Sequence, residues 1–233
     1  MDKLGRIYSL GELRRKTRYQ GYGAIGDYHD GAYETSFVSP YTKAASNVDA
    51  SILLLLQDWA SDEWLRGPLN LETQRLGYTP GFPTNVALTA LLRDHFQLGL
   101  GEAFATNLFP FVKHGGISSY IRVADLVAAA KQFAIPQVEI VQPILAICLG
   151  LATFNAMRRA AGLAVVRNLD TGIGSPFRLG STEAWCQSHP GALGRINRNR
   201  GGVDRVFSDW QAMARAYNKR LLRTGPEAPG PPR

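Results

Sequence analysis

"ILLLLQDWA", Ile52 to Ala60, decides the fold. Five apolar residues run without interruption into Gln57 and Asp58. A short unbroken apolar run with polar flanks reads as a strand buried on both faces, as in a parallel sheet covered by helices. An amide and a carboxylate then stand where the strand leaves the core.

Comparable runs follow along the chain. Residues 103–106, 144–149 and 183–187 read as the second, third and fourth strands. Between and after them, helical patterns cover residues 84–97, 118–134, 152–161 and 203–222. Pro136 is expected to close the second helix and Gly162 to stop the third. In the last helix Val203, Val206, Phe207, Trp210, Met213, Ala214 and Tyr217 share one face. A short helix is expected from Ser9, where Glu12 completes a capping-box spacing. A Gly-rich loop is expected around residues 172–180. The alternation predicts an α/β fold, a three-layer α/β/α sandwich around a central, mostly parallel four-stranded sheet. Residues 1–37 read as an N-terminal extension packing on or flanking the domain. The domain itself spans 38–222, and 223–233 read as a disordered tail rich in Pro and Gly.

At 233 residues the chain can bury a full core without metal or disulfide support. Lys and Arg number 26 against 19 acidic residues, a net charge of +7, so a polyanion such as nucleic acid is the natural partner to test. Cys148 and Cys186 lie in apolar stretches and suit buried thiols in a reducing compartment. No C-x-x-C spacing occurs, and the four histidines never pair at ligand spacing, so no metal is expected. The opening residues lack the apolar core of a signal peptide, and no run reaches membrane-spanning length, so the expected location is cytoplasmic. Gly21, Gly23 and Gly26 match the dinucleotide pattern G-x-G-x-x-G. No apolar strand precedes them, so the reading is a loop. Walker A and G-x-S-x-G motifs do not occur, which disfavours NTPase and esterase readings.

In parallel sheets ligands bind beyond the carboxyl ends of the strands. The residues there are Gln57-Asp58, Asn107, Gly150 and Ser188-His189-Pro190. Taken singly, Asp58 suits a helix cap, Asn107 a bridge within a loop, and His189 a loop histidine satisfied by backbone. Together they place a base, an amide reader and a donor around one rim. Beyond His189 the chain reads GALGRINRNRGG (191–202), either a solvated loop or one whose guanidinium groups and backbone amides grip phosphates.

The ordered set LQDWA (56–60), TNLFPF (106–111), LGLA (149–152) and SHPGALG (188–194) resembles the uracil-DNA glycosylase superfamily. The resemblance implies that Asp58 orients the attacking water and stabilises a cationic sugar. It implies that His189 bonds the departing base and that Asn107 reads the pyrimidine edge, with Gln57 beside the base. Phe82, with Tyr78 as second choice, is the candidate stacking ring. Leu193 is the candidate duplex wedge, and Ser188, Gly191, Arg195 and Arg198 are candidate DNA contacts. The family motif has Gly, Pro and Tyr where this chain has Leu56, Trp59 and Ala60. Ala60 is expected to leave room beside the base, so larger deaminated or oxidised bases come into range, and Trp59 to close the pocket in another way. Two cysteines cannot supply the iron–sulfur cluster of some branches, so no cofactor is expected. No Schiff-base lysine stands out at the rim, which implies a monofunctional enzyme leaving an abasic site. Two competing readings are a binder of damaged or single-stranded DNA that leaves the glycosidic bond intact, and a hydrolase of free nucleosides or nucleotides.

Overall fold

The computed structural model describes residues 1–224, and the expected tail lies outside the described residues from 225 onward. Its strands are β1 (Tyr22–Gly23), β2 (Ile52–Asp58), β3 (Phe104–Phe109), β4 (Val112–Lys113), β5 (Leu145–Leu149), β6 (Phe177–Leu179) and β7 (Thr182–Gln187). The helices begin with α1 (Lys3–Lys16), α2 (Asp62–Leu65), α3 (Leu71–Leu76), α4 (Pro83–Phe96) and α5 (Val123–Ala129). They continue with α6 (Ile135–Val141), α7 (Leu151–Ala160), α8 (Leu169–Ile173), α9 (Ala192–Arg198) and α10 (Arg205–Thr224).

The main sheet has five strands in the order β3-β2-β5-β7-β6, parallel except for β6. β2 lies inside the sheet, with Leu54 opposite Ala105 on one side and Ile147 on the other. Alternate residues of these strands feed two apolar layers. Leu53, Leu55, Ala146 and Cys148 pack with Ile7, Phe133 and Phe154 from α1, the α5–α6 region and α7. Ile52, Leu54, Ala105 and Ile147 pack with Leu88 and Leu92 of α4 and with Trp210 and Met213 of α10. Helices cover both faces, which is why the strands are apolar throughout.

The expected four strands are all present, and a fifth joins them. Residues 172–180, expected as a loop, contain the end of α8 and the edge strand β6, hairpinned onto β7 with Phe177 opposite Ala184. Pro136 does not end its helix. A π-type turn at Ala130–Ala134 joins α5 to α6, and Pro136 sits in the first turn of α6, where its missing N–H costs little. The first helix begins at Lys3 and not at Ser9. Asp2 caps it by accepting from the Gly5 N–H at 2.8 Å, while Ser9 lies mid-helix and donates to the Gly5 carbonyl.

The first 37 residues are tied into the core. Ile7 is fully buried, and Arg14, also fully buried, donates to the Thr35 and Phe37 carbonyls and pairs with Glu34 at 2.5 Å. The G-x-G-x-x-G stretch is no nucleotide loop. Its Tyr22–Gly23 is β1, paired antiparallel with β4 so that Tyr22 faces Lys113. At Gly11 the chain of α1 passes so close to residue 36 that a Cβ would stand 1.9 Å from the Ser36 carbonyl oxygen. Gly11→Ala should therefore lower stability by about 1–3 kcal/mol through forced displacement of α1. Urea unfolding checks this, and an unchanged midpoint would separate α1 from the domain.

Candidate active site

β2 carries Asp58 as its last residue, because the strand continues two residues past its apolar run. The Asp58 side chain is 12% exposed and makes an ion pair of 2.7 Å between Oδ2 and Nζ of Lys113, itself 4% exposed. Oδ1 accepts from the Gln57 side-chain amide at 3.3 Å, so Gln57 is turned towards its own neighbour. Lys113 also donates to the Ile117 carbonyl at 2.6 Å, at the start of a loop whose Ile117 and Tyr120 are each 75% exposed. Its backbone is held from two sides, by β1 and by a bridge to Ser61. The expectation that no lysine stands at this rim is thus overturned. Lys113 belongs to β4, a two-residue strand fixed by residues some 90 positions earlier. The visible signal was a single cation closing the apolar run 108–112, the same signature that marks Asp58.

β5 lies between β2 and β7, so the ends of β2 and β7 are two strand spacings, about 10 Å, apart. Gly150 follows β5 with φ 99°, a conformation open to glycine, and no atom stands within 4 Å of where its Cβ would project. Its N–H donates to the Gln187 carbonyl at 2.8 Å, locking the turn to the end of β7. The missing side chain leaves the turn after β5 open. His189 Nδ1 accepts from the Gly191 N–H at 3.1 Å, which leaves Nε2 to carry the proton of a neutral ring. His189 is exposed at the surface, yet the atoms packed around its ring take away part of the water that would solvate its charged form. That crowding lowers its pKa first, and the Lys113 ammonium lowers it further, while the Asp58 carboxylate raises it. All three groups act on one another across one rim.

Around this rim the side chains divide into inward and outward sets. Asn107 lies within β3, opposite Leu56, and is fully buried, whereas the sequence placed it beyond the strand end. Its Oδ1 accepts from Ser39 Oγ at 2.5 Å, and its Nδ2 has no protein acceptor. Ser188 is 2% exposed, with an unpartnered Oγ. Trp59 donates from Nε1 to the Gly77 carbonyl at 2.8 Å and packs edge-on against Tyr33 and Trp64. Ala60, expected to leave room beside a base, is packed among Ile25, Tyr33, Leu65 and Val112. Both are structural neighbours of the site. Tyr78 is half-buried against Tyr41, while Phe82 is 42% exposed at the start of α4. Gly191 lies against Thr84, so the His189 loop and the Phe82 loop are adjacent. A hollow of about 570 Å³ lined by Gly23, Asp27, Tyr28, His29, Leu65, Arg66 and His114 contains none of Asp58, Asn107 or His189.

The GALGRINR stretch is the helix α9 and not an open loop. Its coiling turns Arg198 inward, where the guanidinium bonds both oxygens of Asp209 on α10 and also pairs with Asp170. Arg198, Ser188 and Gly191 are therefore removed from the set of surface DNA contacts. Leu193 (73% exposed), Arg195 and Ile196 (65%) point outward beside His189. Both cysteines are free and buried, and burial pushes the Cys186 thiol up to about 12, so neither is a nucleophile at neutral pH. Among the described residues no cluster of three or more His, Cys, Asp or Glu could hold a metal ion, and no helix is long and apolar enough to cross a membrane.

A scan against protein-family models finds no match, and neither does a search of curated proteins.

The two arginines should separate in experiment. Arg198→Ala removes the partner of Asp209, itself 12% exposed, and should cost about 3 kcal/mol in urea unfolding. Arg195→Ala should leave stability within about 0.5 kcal/mol. If Arg195 faces DNA, its loss should reduce the salt slope of binding by about one. The reverse pattern would reassign both residues.

Proposed function

We propose that this protein excises uracil or a related deaminated or damaged base from DNA, leaving an abasic site, as the resemblance to the uracil-DNA glycosylase superfamily implies. The observation that carries this reading is that Asp58 ends β2 and His189 follows β7, two strands apart at the carboxyl end of one parallel sheet and near enough for the Asp58 charge to act on His189. Cleaving an N-glycosidic bond creates a cationic sugar and an anionic base together. A carboxylate on one side and a neutral, donating imidazole on the other match those two charges, and a partly dehydrated rim strengthens both interactions.

A base inside a helix cannot reach such a rim, so the nucleotide must be extruded, at a cost of about a few kcal/mol. Phe82 stands exposed beside the His189 loop and offers a stacking surface worth about 1–3 kcal/mol. Leu193 and Ile196 lie three positions apart on α9, on one helix face, and can fill the gap left in the stack. The net charge of +7 and the outward Arg195 favour the phosphate backbone. The buried Asn107 amide, with its unpartnered Nδ2 and its Oδ1 held by Ser39, is the group that would read a pyrimidine oxygen.

A competing reading draws on the Lys113–Asp58 pair. A carboxylate already matched by an ammonium stabilises a sugar cation less well, as in a protein that binds damaged DNA without cutting the glycosidic bond. Single-turnover excision on a uracil-containing oligonucleotide, read as alkali-sensitive breaks, separates the two. The wild-type protein should release the base, and Asp58→Asn should slow release by about 100- to 10,000-fold while still shifting the oligonucleotide in a gel. Full activity in Asp58→Asn would remove Asp58 from the chemistry. A gel shift without breaks in the wild type would favour the binder.

A further inference from the structure

A primary amine within hydrogen-bond reach of the proposed catalytic carboxylate is more than a counter-ion when the product is an aldehyde. An abasic deoxyribose opens to a free aldehyde at C1′, the same carbon that bore the base. A C1′ held about 3–3.5 Å from Asp58, the range of near-attack geometry, lies within about 6 Å of the Lys113 amine. The amine sits 2.7 Å from Oδ2 on a flexible four-carbon stem. Its second tether, the Ile117 carbonyl, belongs to the loop 114–120, which carries Gly115, Gly116 and two exposed apolar side chains.

We propose that Lys113 is a Schiff-base nucleophile and that the same site cleaves the DNA strand at abasic sugars by β-elimination. This rests on the base-excision reading for its biological substrate, although the step itself can be tested on abasic DNA alone. The ammonium first passes a proton to Asp58 Oδ2, its nearest acceptor. The neutral Nζ then adds to C1′, forming an N–C bond, and the carbinolamine loses water to give an imine. Asp58 gives that proton to the imine nitrogen, its freed carboxylate takes the proton that leaves C2′, the bond from C3′ to the 3′-phosphate oxygen breaks, and the phosphate departs with the electron pair. Water then hydrolyses the imine, returning the amine and releasing an unsaturated aldehyde on the 5′ fragment. No oxidant, reductant or metal enters this sequence. Asp58 thereby serves twice, facing the sugar cation during base loss and taking the amine's proton afterwards.

The test incubates the full chain with an oligonucleotide carrying a pre-formed abasic site, in the presence of sodium borohydride, which reduces any imine to a stable amine link. The expected result is a covalent protein–DNA complex whose modified peptide contains Lys113. Lys113→Arg keeps the charge opposite Asp58 but offers no amine, and it should lower the trapped yield at least about tenfold, since an enzyme residue in covalent catalysis has no substitute there. No trapped complex from the wild type, or a link mapped to the Met1 amine, Lys3, Lys16, Lys43, Lys131 or Lys219, would overturn the proposal, whether or not the variant folds. Uracil release, measured separately, keeps the two ideas apart. Release without trapping removes the lyase alone, and trapping without release removes base excision alone.

Discussion

The ion pair between Asp58 and Lys113 organises the carboxyl end of this sheet. Both side chains are nearly out of solvent, so each depends on the other, and removing one partner from such a pair typically costs about 3–5 kcal/mol. The contact also sets the architecture around it. β2 delivers the carboxylate from within the sheet, and β4 delivers the ammonium from outside it. β4 can do so because β1, from the N-terminal segment, pairs with it. The first residues of the chain are thus connected to the Asp58–Lys113 pair, through Arg14 and Ile7 in the core and Tyr22 opposite Lys113.

On the proposed reading, the same pair lets one site combine stability with a reactive centre. A carboxylate free in water would be well solvated and indifferent to a passing sugar. At 12% exposure, next to a cation and within the field of His189, it has lost most of that solvation. Gly150 keeps the turn after β5 free of a side chain. The outward side chains (Phe82, Leu193, Arg195 and Ile196) frame the opening with stacking, apolar and cationic groups. Asn107 and Ser188 are buried, and Trp59 is tied to the Gly77 carbonyl.

Much of this was legible in the residues themselves. The apolar run 52–56 read as a strand of a parallel sheet, and period and punctuation located the three other parallel strands and the flanking helices. Asp58 and His189 were visible as polar residues ending apolar runs. What escaped was set by partners far away in the chain. Lys113 matters because Asp58 is 55 positions earlier, and Arg198 is withdrawn from the surface because Asp209 lies on the next helix. β6 was hidden because a three-residue edge strand with Arg178 between Phe177 and Leu179 has too short a pattern to distinguish from a loop. Pro136 misled because a π-type turn before it relieves the clash that ordinarily ends a helix. Asn107 was displaced by two residues, since β3 runs to Phe109 and carries the amide inside the sheet.

The claim beneath all of this is that Asp58, Lys113 and His189 share one electrostatic environment. The titration of His189, followed by NMR through its ring protons in the wild type, Asp58→Asn and Lys113→Gln, tests it directly. Removing the carboxylate takes away the charge that favours imidazolium, so Asp58→Asn should move the His189 pKa further down. Removing the ammonium takes away a like charge, so Lys113→Gln should move it up. Opposite displacements in the two variants are the predicted result, and a His189 curve that ignores both substitutions would contradict the account.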